Sequence, residues 1–174
     1  VNNPVYTASA QPTFLFYLPD APAAVNYAEF VLLSADEKQQ IYSAQFVPTR
    51  PGIVSVSLPA EVTLEAEQAY HWYLNVHCQN TDAVPAVDGW VQRLADTSAP
   101  EPTDAALPAV WYDTIALTAT ALASPTGQPL DPQIQLQWER WLTAAGLAEL
   151  ANAPIVGPVM PYQITANQQT RSIR

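Results

Sequence analysis

The chain has one cysteine, one lysine, five glycines and two histidines among 174 residues. Each shortage excludes something. A single cysteine, Cys78, cannot form an internal disulfide, and an unpaired cysteine at the end of an apolar strand is expected to be a small core residue. Five scattered glycines leave no phosphate-cradling loop. No serine stands in a G-x-S-x-G setting. Six basic residues against sixteen acidic ones give a net charge of -10. Such a surface repels phosphate backbones and anionic bilayers, so neither nucleic acid nor an anionic membrane is expected as a partner. No run reaches the roughly 18 apolar residues that span a bilayer.

What remains is a hydrophobic, proline-rich chain: 49% apolar, 10% aromatic, with seventeen prolines. That is enough for a real core. Low charge with abundant Pro, Thr, Gln, Ala and Val suits an extracellular or periplasmic protein. The first residue is Val1, which is read as a processed chain or a piece of a longer one.

The organising stretch is LEAEQAYHWYLNVHC, residues 64–78. Trp72, Leu74, Val76 and Cys78 fall on one side of an extended chain, and His71, Tyr73, Asn75 and His77 on the other. Leu64 precedes Tyr70 by six residues, the spacing of a tyrosine corner in a β-sandwich. Tyr70 is therefore expected to be buried, with its hydroxyl bonded to backbone near Leu64. Further strands are expected over 12–18, 27–33, 39–47, 53–58 and 88–94, at about the ten-residue spacing of an antiparallel sandwich. Residues 1–11 read as an extended arm, 12–95 as the sandwich and 96–108 as a linker. Residues 109–153 read as a helical appendage and 154–174 as an extended tail.

Within the appendage, Trp111, Ile115, Thr118 and Leu122 predict one face of a helix over 109–123, although its threonines leave a strand open. Asp131 followed by Pro132 marks the start of a second helix. It carries Ile134, Trp138, Trp141 and Leu142 on one stripe and ends at Gly146. The fold class expected is mainly β: an antiparallel Greek-key sandwich, immunoglobulin- or fibronectin-like, with two C-terminal helices packed on it.

PTFLFYLP, AEFVL, PGIVSVSLP, YHWYLNVHC, GWVQR and the WYD segment followed by W-x-x-W-L and GL together resemble a cyanobacterial family, domain-of-unknown-function family 928. The resemblance covers 12–154. It implies a secreted or periplasmic protein, β-rich in front and helical behind, with no assigned activity. Members of that family usually carry an upstream region, often with a second cysteine able to partner the one matching Cys78; with Cys78 the single cysteine of this sequence, that disulfide is not expected here.

Candidate sites are few. His71 and His77 stand six positions apart, about 20 Å along a strand, too far to share a metal. Both are expected to be exposed on a sheet face. Glu29, Asp88 and Asp113 are the carboxylates weighed as a glycosidase pair, but no enzyme is expected. Trp72, Trp90, Trp111, Trp138 and Trp141 are read mainly as packing, with a sugar-stacking platform as the other use. No metal or cofactor is expected on protein side chains, and elemental analysis free of stoichiometric zinc, copper or iron would bear this out.

The function expected is a non-enzymatic extracytoplasmic structural or assembly protein, a pilus-like filament subunit joined by strand exchange of a terminal arm. The alternative is a carbohydrate- or peptide-binding module. Met160, Tyr162, Ile164 and Ala166 alternate as the better donor segment; Val5 and Tyr6 anchor the weaker one. Whether either arm pairs with its own sheet or a neighbour's is left open.

Overall fold

The computed structural model describes residues 5–19, 23–79, 81–82, 84–95, 108–123 and 131–161. In chain order the strands are β1 (Val5–Thr7), β2 (Thr13–Leu18), β3 (Val25–Ser34), β4 (Gln40–Phe46), β5 (Gly52–Ser57), β6 (Ala69–Cys78) and β7 (Ala86–Arg93). The helices α1 (Trp111–Ala123) and α2 (Pro132–Ala144) follow, and β8 (Ile155–Pro158) comes last. They form a five-stranded sheet in the order β1-β7-β6-β3-β4 and a three-stranded sheet in the order β2-β5-β8.

The strands follow from apolar alternation. In β2, Phe14, Phe16 and Leu18 point into the space between the sheets, as do Val54 and Val56 of β5. They meet Ala28, Phe30 and Leu32 of β3, Phe46, Leu74 and Val91. The other face of the small sheet is apolar as well. Ile53 packs with Ile115 and Ala119 of α1 and with Trp138 and Leu142 of α2. The molecule is thus layered as large sheet, small sheet and helices, and the small sheet is covered on both sides.

The expected antiparallel Greek-key sandwich needs correction to a mixed architecture of two sheets and two helices. β1 runs parallel to β7, with Val5 opposite Val91, and β8 runs parallel to β5. Alternation reports which face a residue takes, but neither its neighbour nor that neighbour's direction. Gly52 makes the β8 contact feasible: at φ 141° any Cβ would stand 2.3 Å from the Pro154 carbonyl oxygen. The bond from the Ile53 N–H to that same carbonyl, 2.8 Å, fixes the start of β8.

Both helices form close to the expected bounds. Asp131 caps α2 by accepting from the Gln133 N–H at 2.9 Å. In α1, Thr114, Thr118 and Thr120 each donate a hydroxyl to the carbonyl four residues back, which makes the threonines compatible with a helix. The buried residues of α1 are Tyr112, Ile115 and Ala119; of the expected Trp111–Ile115–Thr118–Leu122 stripe, Ile115 is buried and Trp111 and Leu122 pack half-buried against the same cluster. Small Ala119 lets the helix approach the sheet, and the Tyr112 hydroxyl finds partners there.

The corner forms as the spacing predicts. Tyr70 is buried, and its hydroxyl accepts the Glu65 N–H at 3.0 Å. Tyr70→Phe is expected to lower unfolding free energy by about 1 kcal/mol, the usual net worth of one hydrogen bond, as read from the urea midpoint.

Candidate functional site

Two strand edges face one side of the molecule. β2 pairs with β5 on one flank, and among the described residues no strand pairs with its other. Among the described residues β1 covers β7 only from Val91 to Arg93, and no described strand lies beside 86–90 on that flank. Unpaired edges present free N–H and C=O groups.

Between these edges lies a cavity of about 600 Å³, bounded by Leu15, Phe16 and Tyr17 of β2 and by Asp88, Gly89 and Trp90 of β7. Trp72 also lines it, and Trp111, Tyr112, Ile115 and Trp138 of the helices close it above. A second cavity of about 210 Å³, lined by Leu18, Val25, Leu74, Val76, Cys78 and Val87, shares Tyr17 as a wall. Both cavities lie between residues of β2 and residues of β7.

The upper end is pinned by a short polar chain. Trp72 Nε1–H donates to the Tyr112 hydroxyl at 2.8 Å, and that hydroxyl donates to the Trp90 carbonyl at 3.2 Å. Trp72 reaches across because Gly89 lies opposite it in the register; a Cβ there would stand 2.4 Å from the indole. Burial pushes the Tyr112 phenol up to about 12, against the smaller opposing pull of the Trp72 hydrogen bond. Trp90 Nε1, by contrast, is buried with no protein partner.

Asp113 sits one residue on, in the first turn of α1. Its carboxylate accepts the Thr7 hydroxyl at 3.0 Å, the Ala8 N–H at 2.9 Å and the Ser9 N–H at 3.2 Å. This clasp fastens the helical roof of the cleft to the chain leaving β1.

The outer face of the large sheet holds a cluster that shares Asp88 and Trp90 with the rim of the cleft. His71 is buried, not exposed as expected. Its Nδ1 stands 2.6 Å from Glu37 Oε1 and its Nε2 2.8 Å from Asp88 Oδ2, while Trp90 stacks on the ring at 4.3 Å. Glu37 comes from the β3–β4 turn, where it takes a left-handed φ of 57°. Alternation placed His71 on the correct face, but neighbours of this size cover it. His77 is half-buried and stacks on Tyr27 at 4.2 Å.

The weighed carboxylates do not converge. Glu29 accepts from Gln45 Nε2, Asp88 serves His71 and Asp113 serves the β1 connection. Among the described residues no group of three or more His, Cys, Asp or Glu is placed to hold a metal ion. Cys78 is half-buried rather than sealed in the core. Of the assembly residues, Val5 lines the cleft and Tyr6 is half-buried, both in β1 on their own chain's sheet. Met160 is 85% exposed, just past β8. Tyr162, Ile164 and Ala166 lie outside the described residues.

A two-sheet protein with a helical layer and an apolar cleft between open strand edges is the class defined here. The chain belongs to the family described as Domain of Unknown Function (DUF928), whose model matches residues 1–155. Comparison with curated proteins and with solved structures gave no match in either case.

Proposed function

We propose that this protein is a non-enzymatic, extracytoplasmic structural subunit whose copies join by strand exchange, an extended arm of one entering the cleft of the next. The observation that carries this reading is the apolar cavity beside the flank of β2 that, among the described residues, no strand pairs. An incoming strand would gain backbone hydrogen bonds from an edge and seat alternate side chains in the pockets. Head-to-tail exchange leaves each new copy with an open cleft, so it extends to a filament unless the rotation closes a ring. Location outside the cytoplasm, and a cyanobacterial source, rest on the family resemblance and on the low-lysine, proline-rich composition.

Mass photometry and negative-stain imaging of the full chain across concentrations test this reading. Species larger than the monomer are expected, and they should be lost when 162–174 is deleted from a chain that keeps its circular dichroism. A monomer at every concentration overturns it.

The second reading, a carbohydrate- or peptide-binding module, is favoured by Trp72, Trp90, Trp111 and Trp138 on the cleft and by the partnerless Trp90 Nε1–H. Titration with oligosaccharides, read by tryptophan fluorescence, would show saturable quenching in a chain that stays monomeric.

A further inference from the structure

We infer that the occupant of the cleft is the C-terminal segment 160–174 of a second copy, a conclusion that rests on the strand-exchange reading above and names its donor and acceptor. Charge favours the segment. All sixteen acidic residues precede residue 150, with Lys38, Arg50, Arg93 and Arg140 as the only basic ones there. That stretch therefore carries 4 − 16 = −12, whereas Arg171 and Arg174 give the remainder +2, for a total of −10. The segment carries two arginines and no acidic residue, and Asp88, bonded to His71, stands on the rim of the cleft. Opposite charge speeds encounter and fixes the choice of partner.

Shape agrees with charge. Tyr162 and Ile164 alternate with Gln163 and Thr165, so one face of an extended segment presents two bulky knobs about 7 Å apart. The cleft offers two apolar chambers that share the Tyr17 wall. Among the described residues the six of β2 have no strand on one flank and provide an edge as long as the alternating run.

β1 is already seated on β7 of its own chain, and the described chain reaches residue 161, just past β8.

The test uses two full chains, both carrying Cys78→Ser, one with Tyr17→Cys and the other with Ile164→Cys, mixed under mild oxidation. A disulfide-linked dimer containing one copy of each is expected. In parallel, a synthetic 160–174 peptide with a benzophenone side chain at position 164 is photo-crosslinked to the unsubstituted full chain. Its adducts should map to 13–18 or 86–90, and Arg171→Glu with Arg174→Glu in the peptide should weaken capture at least about tenfold at low salt. The inference is overturned if a bridge forms only within one chain carrying both cysteines, or if adducts map elsewhere or do not form. Assembly in mass photometry without the mixed bridge sinks this donor and acceptor while leaving strand exchange standing. A chain that stays monomeric and forms no bridge sinks both.

Discussion

Asp113→Ala is expected to lower the stability of the protein by about 3 kcal/mol, since bonds to a charged acceptor are each worth roughly 1.5–3 kcal/mol and part of this carboxylate is solvated. Three donors lose their acceptor at once: the Thr7 hydroxyl and the Ala8 and Ser9 amides. Thr7 is fully buried, so water cannot take over at its hydroxyl without a rearrangement. The carboxylate also lies at the positive end of α1, which adds a smaller favourable term. Asp113→Asn keeps one acceptor oxygen and should cost about half as much, on the order of 1–2 kcal/mol. The urea midpoints of the two variants check both magnitudes. A loss below about 1 kcal/mol for Asp113→Ala would mean that α1 is held by packing alone. The consequence reaches the cleft, because Trp111 and Tyr112 flank Asp113 and form its upper wall. Release of the clasp should therefore weaken tail capture along with stability.

Much of this fold could be read from residue order, and the reasons for the failures are physical. The strand positions, the Tyr70 corner and the α2 cap are local: alternation, a six-residue spacing and an Asp-Pro pair specify each over a few residues. Pairing direction is not local. The parallel β1–β7 and β5–β8 contacts join segments about a hundred residues or nearly so apart, and nothing in VYT or IVGP encodes the partner. The Asp113 clasp was hidden for the same reason, since its donors lie 104 to 106 positions away. Glu29, Asp88 and Asp113 were weighed as a carboxylate pair without an enzyme being expected; in the structure each holds a neighbour. Gly89 carried a usable signal. A glycine in an otherwise bulky strand points to a close approach, and Trp72 fills that space. The cleft itself had no signature, because it is made by side chains from β2, β6, β7 and both helices that lie far apart in sequence.

Tyr112 makes a larger prediction about alkaline pH than about any neutral one. Burial raises its phenol from the ordinary 10.0 to about 12, so the folded protein holds this proton where the unfolded chain has released it. Stability falls with pH wherever the folded state binds more protons. The contribution is therefore complete below pH 10 and is lost as pH rises through 12, amounting to about 3 kcal/mol for two units at 1.36 kcal/mol each. Tyr42 and Tyr73 are pushed up as well, by burial first and then by Glu61 and Glu37 respectively, so the native protein alone cannot isolate the effect. Tyr112→Phe can. At pH 8 the variant should already be about 1–2 kcal/mol less stable, because Trp72 Nε1 loses its acceptor and the Trp90 carbonyl its donor. Between pH 10 and 12 its stability should decline less steeply than that of the native protein, so that the gap closes and then reverses. Urea midpoints at half-unit steps across that range give both slopes. Parallel slopes would show that the Tyr112 phenol is no more protected than an ordinary one, and that the pin joining α1 to the β7 edge is wet.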